Sequence, residues 1–408
     1  MELKIPVVND KLLYYLDICA RCGACSDACH LYSTTKECYH APAYRMELLR
    51  RVYRWQYTKT GRVFPRLFKT RNVQSKEFLE EFRKAAFECT GCRRCTVFCP
   101  FGVDMGAFVG LMRSMLYEVG EGDEILDMLA DTAISKGEMV DEIKASFIET
   151  VKKLEDKLRR ETGGPNFSIP VEAEGARVLY VALAGEHSII PAAKIFNKVG
   201  ENWTLSLFEA SNYGYFTGQI DKAKKIVERV LEEAERLGVE VLAISECGHA
   251  YRVFKHLAPV WFEDFDFEVK SVVELAAEYV EEGKLQIKEG IVEEPITYHD
   301  PCQLARNGGV VEEPRKLLKI LAKDFRELQP NGEKNWCCGG GGGLVAIPEL
   351  YELRMKTGKP KALQVKRSGA KIVATACENC KLQLKDLNNY YDLGIKIVGV
   401  IDLVAEAI

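Results

Sequence analysis

The chain has no long apolar run, no excess of one charge and no common nucleotide-binding fingerprint. None of its hydrophobic stretches approaches the roughly 18 to 20 residues that a helix needs to cross a bilayer. The 56 Lys and Arg residues nearly balance the 60 Asp and Glu residues, which excludes a globally basic nucleic-acid-binding protein. No Rossmann fingerprint is present, so a flavin would have to come with a partner.

The chain start also lacks the basic region, apolar stretch and small-residue cleavage site of a secretory signal peptide. What the sequence does have is cysteine, with 15 among 408 residues. An odd number in a chain of this length argues against a disulfide framework and for metal ligation in a reducing compartment. We therefore expect a soluble, cytoplasmic protein that binds metal and folds into two or three domains.

Two runs of four cysteines with the spacing Cys-x2-Cys-x2-Cys-x3-Cys occupy residues 19–29 and 89–99. In bacterial ferredoxins this spacing binds two [4Fe–4S] cubanes, and the fourth cysteine of each run ligates the cluster of the other run. We predict the same exchange here. The first set is Cys19, Cys22, Cys25 and Cys99, and the second set is Cys89, Cys92, Cys95 and Cys29.

Zinc is the alternative for these runs, because Cys-x2-Cys pairs also suit tetrahedral Zn²⁺. Pro100, directly after the second run, favours the iron–sulfur interpretation. His30 stands at the corresponding place of the first run, a departure from the ferredoxin pattern that removes no ligand. Cys38 lies outside both runs, and we expect it to be a buried free thiol.

The segment between the two runs is basic and aromatic. Residues 45–71 contain nine Lys or Arg and one acidic residue. The aromatic residues among them are Tyr53, Trp55, Tyr57, Phe64 and Phe68. Such a pattern is typical of a nucleic-acid patch, of a docking face for a partner or an anionic membrane, or of a solvated surface. Beside two redox clusters, we favour docking.

Beyond the second run the pattern is helical up to Gly163-Gly164-Pro165, which ends it. From about residue 175, short β-branched runs alternate with helical segments, which predicts α/β layers with mostly parallel strands. The predicted fold class is α+β, with a mostly helical two-cluster ferredoxin-like domain followed by a duplicated α/β cysteine-rich domain. The predicted domains are 1–118 for the two clusters, 119–172 for a helical connector, 173–285 for the first α/β half and 286–408 for the second.

Five more cysteines lie in three short pieces of the last quarter. They are Cys302, the adjacent Cys337 and Cys338, and the pair Cys377 and Cys380. Adjacent cysteines suit neighbouring irons, and the glycine run that begins with Gly339 and Gly340 would let the backbone approach a bulky cluster. Zinc is again an alternative. A phosphate-binding loop is disfavoured, because Leu344-Val345 follows where the Walker signature has Lys-Ser/Thr.

The two predicted α/β halves align with each other. Each has a strand, a helix and a second strand in the same order, with a strand of the first half ending near His187. Asn212-Tyr213-Gly214 takes the place of the adjacent cysteines, and Cys247-Gly248-His249-Ala250 takes the place of the Cys-x2-Cys pair. The first half keeps one of the cysteines, so we expect pseudo-twofold symmetry with a single metal site.

These motifs, in this order, resemble the cysteine-rich domain family of heterodisulfide reductases and in particular their D subunit. The first α/β half resembles the K subunit of the Dsr membrane complex of sulfur metabolism and its homologues in archaeal menaquinol-oxidising complexes. The residues that carry this resemblance are Ser245 to Ala250, Trp203 and residues 212–216. The resemblance covers nearly the whole chain. It implies that the five C-terminal cysteines hold a noncubane [4Fe–4S] cluster whose accessible iron binds a substrate thiol sulfur.

The resemblance also implies a membrane cytochrome b-like quinol-oxidising partner and a place on the inner face of the membrane. The substrate it implies is a disulfide, persulfide or trisulfide of a small thiol or a small carrier protein. We predict a thiol–disulfide oxidoreductase subunit, with His249 or His299 as proton donor and with Cys247 as a redox-active, substrate-proximal or structural thiol. The histidines could instead bond to loop backbone or cluster sulfur.

The alternative function is a non-catalytic electron-transfer subunit of a flavin-dependent 2-hydroxy-acid oxidase or a similar redox complex. The iron–sulfur subunits of glycolate and lactate oxidases resemble this domain order too. In that case the chemistry would belong to a flavin partner.

Overall fold

The structure is a computed structural model that describes residues 2–164, 167–182, 185–206 and 213–408. The chain divides into two compact units, each assembled from separate segments. The first unit comprises Met1–Leu129, Tyr213–Ile220 and Trp336–Leu363, and the second comprises Ala130–Asn212, Asp221–Asn335 and Gln364–Ile408. The predicted domain boundaries at residues 118, 172 and 285 stay predictions.

The N-terminal part of the chain is helical. Its helices are α1 (Asp10–Ile18), α2 (Ala24–Ala28), α3 (His30–Thr35), α4 (Pro42–Tyr57), α5 (Lys59–Val63), α6 (Lys76–Phe87), α7 (Arg94–Val97), α8 (Met105–Glu118), α9 (Glu124–Glu138) and α10 (Val140–Thr162). The two helices that flank the second cysteine run have side-chain caps at their first residues. Ser75 accepts from the Phe78 amide ahead of α6, and Asp104 accepts from two amides ahead of α8, which satisfies donors that a helix start leaves free.

The core of the first unit forms where α4, α6 and α8 pack together. Met46 and Val52 of α4, Phe82 of α6 and Met112 of α8 are all fully buried. Phe216, from the separate segment Tyr213–Ile220, belongs to the same hydrophobic cluster. The core therefore holds a distant part of the chain beside the cysteine runs.

The rest of the chain alternates strands and helices, as predicted. Its elements are β1 (Val178–Val181), α11 (Glu186–Val199), β2 (Trp203–Leu205), α12 (Ile220–Leu237), β3 (Val241–Ile244), α13 (Gly248–Arg252), α14 (Ala258–Trp261), β4 (Glu268–Ser271), α15 (Val272–Glu281), β5 (Ile296–Tyr298), α16 (Glu312–Leu321), β6 (Phe325–Arg326), α17 (Tyr351–Ser368), β7 (Ile372–Thr375), α18 (Glu378–Tyr391), β8 (Lys396–Gly399) and α19 (Val400–Glu406). Four 3₁₀ turns lie at Cys38–His40, Gly332–Lys334, Leu344–Ala346 and Pro348–Leu350, and a π-helical turn lies at Val253–Leu257.

The strands form two four-stranded sheets, in the orders β2-β1-β3-β4 and β6-β5-β7-β8. Every strand pairing in both sheets is parallel. The central strands β1, β3, β5 and β7 are buried along their whole length, as expected where helices cover both faces of a parallel sheet. Both sheets thus have the same strand order, and their carboxyl ends are the expected positions for a site.

Two sequence predictions fall partly outside the described residues. One is the strand predicted at residues 177–183, of which Leu183 lies outside, and the other is the segment aligned with the adjacent cysteines, of which Asn212 lies outside. The short strands β2, β4 and β6 were not predicted. Within the described parts of the chain, no helix is long and apolar enough to span a bilayer.

Candidate metal centre

The two cysteine runs share one backbone conformation. Arg21 and Gly23 in the first run have φ values of 56° and 87°, and Gly91 and Arg93, at the same positions of the second run, have φ values of 63° and 58°. A short helix follows each left-handed pair, α2 in the first run and α7 in the second. Arginine rarely adopts positive φ, so these two loops hold a shape that costs free energy.

In the first set, Cys25 lies near two of its three proposed co-ligands. Burial raises the pKa of Cys25, and the nearby charges of Cys19 and Cys99 raise it further. Cys99, the last residue of the second run, is therefore a neighbour of first-run thiols. The side chain of Cys22 is exposed, which leaves this set open to the protein surface.

The second set lies around a small cavity, which Cys29, Cys89, Cys92 and Cys95 all line. Burial raises the pKa of Cys95, and the charges of Cys29 and Cys89 raise it further. Cys29 of the first run thus lies near second-run thiols, and the exchanged ligand assignment stays a prediction. The raised pKa means that these thiols lose their protons only at a high cost in free energy unless a cation is near. This fits a site in which bound iron neutralises the thiolates.

Arg45 provides a separate test of whether a cluster fits this cavity. It is buried and lines the cavity, and its Nε donates to the Ala85 carbonyl oxygen at 2.8 Å. Its Nη2 has no hydrogen-bond partner among the residues that the structure describes. Burial lowers the pKa of Arg45, but the charges of Cys89, Cys29 and Cys95 raise it more. A buried N–H without an acceptor beside three thiols fits an inorganic sulfide as its partner.

His30 joins the two runs to the segment that carries Cys337. The ring is 1% exposed, with Nδ1 lying 3.0 Å from the carbonyl oxygen of Thr357 and Nε2 lying 3.1 Å from Thr90 Oγ1. Cys337 Sγ lies 3.6 Å from the same Thr90 oxygen. Ligand atoms of His30, Cys92 and Cys337 all lie within 4.8 Å of one another. A C-terminal cysteine is therefore next to the second set within one unit.

The glycine run packs on the second cysteine run. Gly342 has φ +66°, and a Cβ there would lie 2.6 Å from the Cys89 carbonyl oxygen. Arg113 holds both segments, because its Nη1 donates to the Gly342 carbonyl at 2.9 Å and its Nη2 donates to the Cys89 carbonyl at 2.9 Å. It also bonds to the carbonyl of Phe216. Gly339 has φ +102°, and the cofactor-binding role of Gly339 and Gly340 stays a prediction.

Cys302, Cys377 and Cys380 belong to the second unit. All three are buried, Cys302 beyond the carboxyl end of β5 and the other two just after β7. Cys377 is the N-cap residue of α18. Its pKa is lowered by a hydrogen bond from Cys380 and by the amides of Gly248, Cys380 and Asn379, although burial opposes the shift. These donors favour a thiolate, the form that binds metal.

The first-half motif lies against these cysteines. Cys247 is the N-cap residue of α13, just as Cys377 is of α18, and Cys247 and His249 are both buried. A Cβ at Gly248 would lie 2.8 Å from the Leu304 amide nitrogen. The glycine therefore allows the first-half loop to pack against the turn that follows Cys302.

His299 and Asp300 lie at the carboxyl end of β5 and are 1% and 2% exposed. His299 Nδ1 lies 3.3 Å from Asn335 Nδ2. Asp300 accepts two hydrogen bonds from Arg315, at 2.7 and 3.0 Å, and one from the Gly332 amide at 2.9 Å. This ion pair fixes the backbone between His299 and Cys302.

The structure corrects the prediction for Cys38 and reduces the set of exposed basic residues in the 45–71 stretch. Cys38 is exposed, so the prediction of a buried thiol is wrong, because a short 3₁₀ turn at Cys38–His40 places it at the surface. In the 45–71 stretch, Arg45 and Arg50 are buried. The exposed basic residues are Lys59, Arg62, Arg66, Lys69 and Arg71.

The sequence predicted no role beside the cysteines for four charged residues, namely the buried Arg45, Arg113 and Lys381 and the half-buried Glu246. Glu246 accepts from the amides of Val400 and Ile401 at 2.9 and 3.2 Å, and Lys381 Nζ lies 2.8 Å from it. Burial raises the pKa of Glu246 despite Lys381. Glu246 lies within the motif at residues 245–250, but the motif does not reveal its partners, and no motif marks the other three positions, since their partners are distant in the chain.

Comparisons with known proteins match both cysteine-rich parts. A 4Fe-4S dicluster domain matches residues 15–103, and a cysteine-rich domain, CCG, matches residues 296–385. These ranges contain the two four-cysteine runs and the five C-terminal cysteines. A glutamate racemase isoform from Bacillus anthracis is 14% identical and covers 56% of this chain and 77% of its own, but its TM-score of 0.27 carries no inference.

The similar proteins extend over most of the chain. The "Hdr-like menaquinol oxidoreductase iron-sulfur subunit 2" of Archaeoglobus fulgidus is 29% identical, over 98% of this chain and 81% of the relative. The D subunit of the dihydromethanophenazine:CoB--CoM heterodisulfide reductase of Methanosarcina mazei is 27% identical, over 100% and 99%. The B subunit of the fumarate reductase (CoM/CoB) of Methanothermobacter marburgensis is 27% identical, over 78% and 61%. The predicted resemblance to the D-subunit family of heterodisulfide reductases is thus confirmed for this chain, which combines a 4Fe-4S dicluster domain with a CCG cysteine-rich domain.

Proposed function

We propose that this chain is an iron–sulfur thiol–disulfide oxidoreductase subunit. Electrons would pass through two [4Fe–4S] cubanes, bound by the first and second sets, toward a noncubane [4Fe–4S] cluster bound by the five C-terminal cysteines. The observation that carries the proposal is the 3.6 Å approach of Cys337 Sγ to Thr90 Oγ1. Thr90 lies between Cys89 and Cys92, so an electron at the second set would have a C-terminal cysteine as its neighbour.

The noncubane site would take its ligands from five cysteines, all of which are buried, namely Cys302, Cys337, Cys338, Cys377 and Cys380. Gly339 and Gly340 would leave room for the cluster beside the adjacent cysteines. The lowered pKa of Cys377 supports a thiolate ligand. When bound, this cluster would supply electrons singly and an iron open to a substrate sulfur.

The reaction would break one S–S bond with two electrons and two protons and give two thiols, or run in reverse. His249 and His299 are proposed to hold and deliver the proton that a departing thiolate needs, and both are buried beside the cysteine-bearing loops. Cys247, the N-cap of α13, is proposed to be a thiol near the substrate.

The matching strand orders of the two sheets support a duplicated domain with pseudo-twofold symmetry. The equivalent cap positions of Cys247 and Cys377 support the same interpretation. In that arrangement the first half would form one wall of the substrate cleft, and the second half would supply all five cysteine ligands.

The proposed partner is a membrane cytochrome b-like quinol-oxidising protein, because one relative is named a menaquinol oxidoreductase subunit. The proposed substrate is a disulfide, persulfide or trisulfide, because another is named a heterodisulfide reductase subunit. The proposed location is the inner face of the membrane, with docking through the exposed end of the 45–71 stretch.

An EPR experiment tests the catalytic role. Oxidised, iron-loaded protein is titrated with a small thiol, and we expect a new or altered signal, since thiol sulfur would bind at the noncubane site. A Cys338→Ser variant that keeps both cubanes should not respond. An unchanged spectrum in the parent protein would instead favour the non-catalytic electron carrier, which the fumarate reductase name of a relative also suggests.

A further inference from the structure

The exposed end of the basic stretch is both apolar and basic. Val63, Phe64 and Leu67 expose 66%, 56% and 75% of their surfaces, although such residues are usually buried. They lie at the end of α5 and in the turn that follows it. Five exposed basic residues alternate with them along the chain, namely Lys59, Arg62, Arg66, Lys69 and Arg71.

Nothing acidic in this part of the chain neutralises that charge. No acidic residue occurs between Glu47 and Glu77. Glu47 is paired with Arg50 and Arg21, at 2.8 and 2.9 Å, toward the buried end of the stretch. Among the described residues, none of the five exposed basic side chains forms an ion pair.

We propose that residues 59–71 bind the surface of an anionic lipid bilayer. Val63, Phe64 and Leu67 would insert at the headgroup boundary, and the basic residues would contact lipid phosphates. An acidic protein surface would satisfy the charges but would not by itself explain three neighbouring apolar side chains that protrude into solvent. The inference deepens the proposed membrane location and does not depend on the cluster chemistry.

Co-sedimentation of the full chain with vesicles tests this surface. We expect binding to phosphatidylglycerol–phosphatidylcholine vesicles, weaker at high salt, and little binding to pure phosphatidylcholine. Arg66→Gln should lower the partition constant about fivefold, and the double variant Phe64→Ser, Leu67→Ser should lower it at least tenfold. Lys319→Gln, at an exposed position of α16, is the control.

Equal binding to neutral and anionic vesicles would overturn the proposal. Wild-type binding by the double serine variant would do the same, because it would show that Phe64 and Leu67 do not insert. Absence of binding to either kind of vesicle would also overturn the proposal, and it would favour an acidic protein partner for the basic residues. Iron content serves as the check on folding. It also separates this inference from the proposed function, because iron should be the same in all these variants.

A separate observation is that two buried arginines lie beside the second cysteine set. Arg45 and Arg113 are both buried beside it, and both donate hydrogen bonds to backbone carbonyls instead of carboxylates. Arg45 also has the Nη2 atom without an acceptor and lies beside Cys29, Cys89 and Cys95. The first set, in contrast, includes the exposed Cys22.

We infer that Arg45 is a positioning residue that makes the second set the preferred holder of an electron. Its buried positive charge and its free N–H would stabilise the additional negative charge of a reduced cluster, and net charge and hydrogen bonds to sulfur set such potentials. The exposed first set would then receive electrons, and the second set, beside Cys337, would pass them on. This inference rests on the proposed cluster binding.

EPR-monitored redox titration of iron-loaded protein tests the role of Arg45. In singly reduced protein, Arg45→Gln should change the ratio of the two reduced cubanes at least tenfold in favour of the first set. A tenfold change corresponds to a change of about 59 mV in the difference between the two reduction potentials, for a one-electron couple. Arg45→Lys keeps the charge and should restore most of the wild-type distribution. Arg83→Gln removes an arginine whose side chain is 42% exposed and should leave the distribution unchanged.

Full iron content with an unmoved distribution in Arg45→Gln would overturn the inference and leave cluster binding intact. If Arg45→Gln loses iron, the inference is tested by comparing the EPR spectra of the singly reduced wild type and of the singly reduced Cys22→Ser variant. The EPR signal of the first electron should then be the same in both, because the electron resides on the second set. A signal that changes with Cys22→Ser would contradict the inference.

Discussion

His30 Nδ1 lies 3.0 Å from the carbonyl oxygen of Thr357, so the residue after the first cysteine run contacts helix α17. Its other ring nitrogen faces Thr90 in the second run, and Thr90 in turn contacts Cys337. One imidazole therefore joins three segments that are far apart in the chain. In the ferredoxin pattern a proline at this position would make neither contact.

Replacing His30 with alanine should destabilise the first unit. The Thr357 carbonyl and the Thr90 hydroxyl would both lose a partner in a buried place, so we expect the apparent free energy of unfolding to fall by about 2–3 kcal/mol. Urea unfolding measures this change. His256→Ala, at an exposed position, should cost less than about 0.5 kcal/mol. Equal effects of the two substitutions would contradict the linking role of His30.

The proposal that Cys29 and Cys99 each ligate the cluster of the other cysteine run gives a prediction for EPR spectroscopy. Cys29→Ser should alter the same EPR component as Cys92→Ser, because Cys29 lies with second-run thiols. Cys99→Ser should alter the same component as Cys22→Ser. Low-temperature EPR of reduced variants measures this grouping. A Cys29→Ser spectrum that matches Cys22→Ser would show that each run binds its own cluster.

Asp300 should matter for stability more than for electron transfer. Its carboxylate accepts from both Arg315 and the Gly332 amide, and the side chains of the ion pair are 1% and 5% exposed. Asp300→Asn removes one of the two carboxylates that pair with the buried Arg315 guanidinium, since Glu327 still accepts from it at 2.8 Å. We therefore expect a loss of about 2–3 kcal/mol in the free energy of unfolding. Asp324→Asn breaks an exposed pair with Arg326 and should cost about 1 kcal/mol or less. A similar small loss for Asp300→Asn would contradict the argument.

The two buried histidines give a kinetic prediction. If His249 or His299 delivers the proton to a departing thiolate, one of the variants His249→Gln and His299→Gln should lower turnover about 10²–10⁴-fold and remove a limb of the pH–rate profile. Iron content should not change. Wild-type turnover and an unchanged pH profile in both variants would exclude the proton-donor role.

Much of this fold was predictable because its signals are local. Helices at 76–87 and 105–118 and the strand at Ile296–Tyr298 follow from hydrophobic periodicity within a few residues. The short strands β2, β4 and β6 were missed because each has only two to four residues. Their pairing depends on neighbours that a local pattern does not contain.

The cysteine spacing predicts a grouping of the thiols, which stays a prediction, but it carries no information about the residues that surround them. Arg45 lies in a helix between apolar positions and was counted with a basic surface, whereas the structure buries it beside the second set. Arg113 and Thr90 have roles that arise only when Gly342 and Cys337 pack on the second run. Contacts between residues that are distant in the chain produce no local sequence pattern, so they could not be predicted from the sequence.

Metal analysis of the purified chain tests the central claim most directly. Two cubanes and one noncubane [4Fe–4S] cluster predict about twelve irons per chain, and Cys338→Ser should lower the count by about four. A parent protein with no more than about eight irons and a bound zinc would contradict the noncubane cluster, and with it the proposed disulfide chemistry.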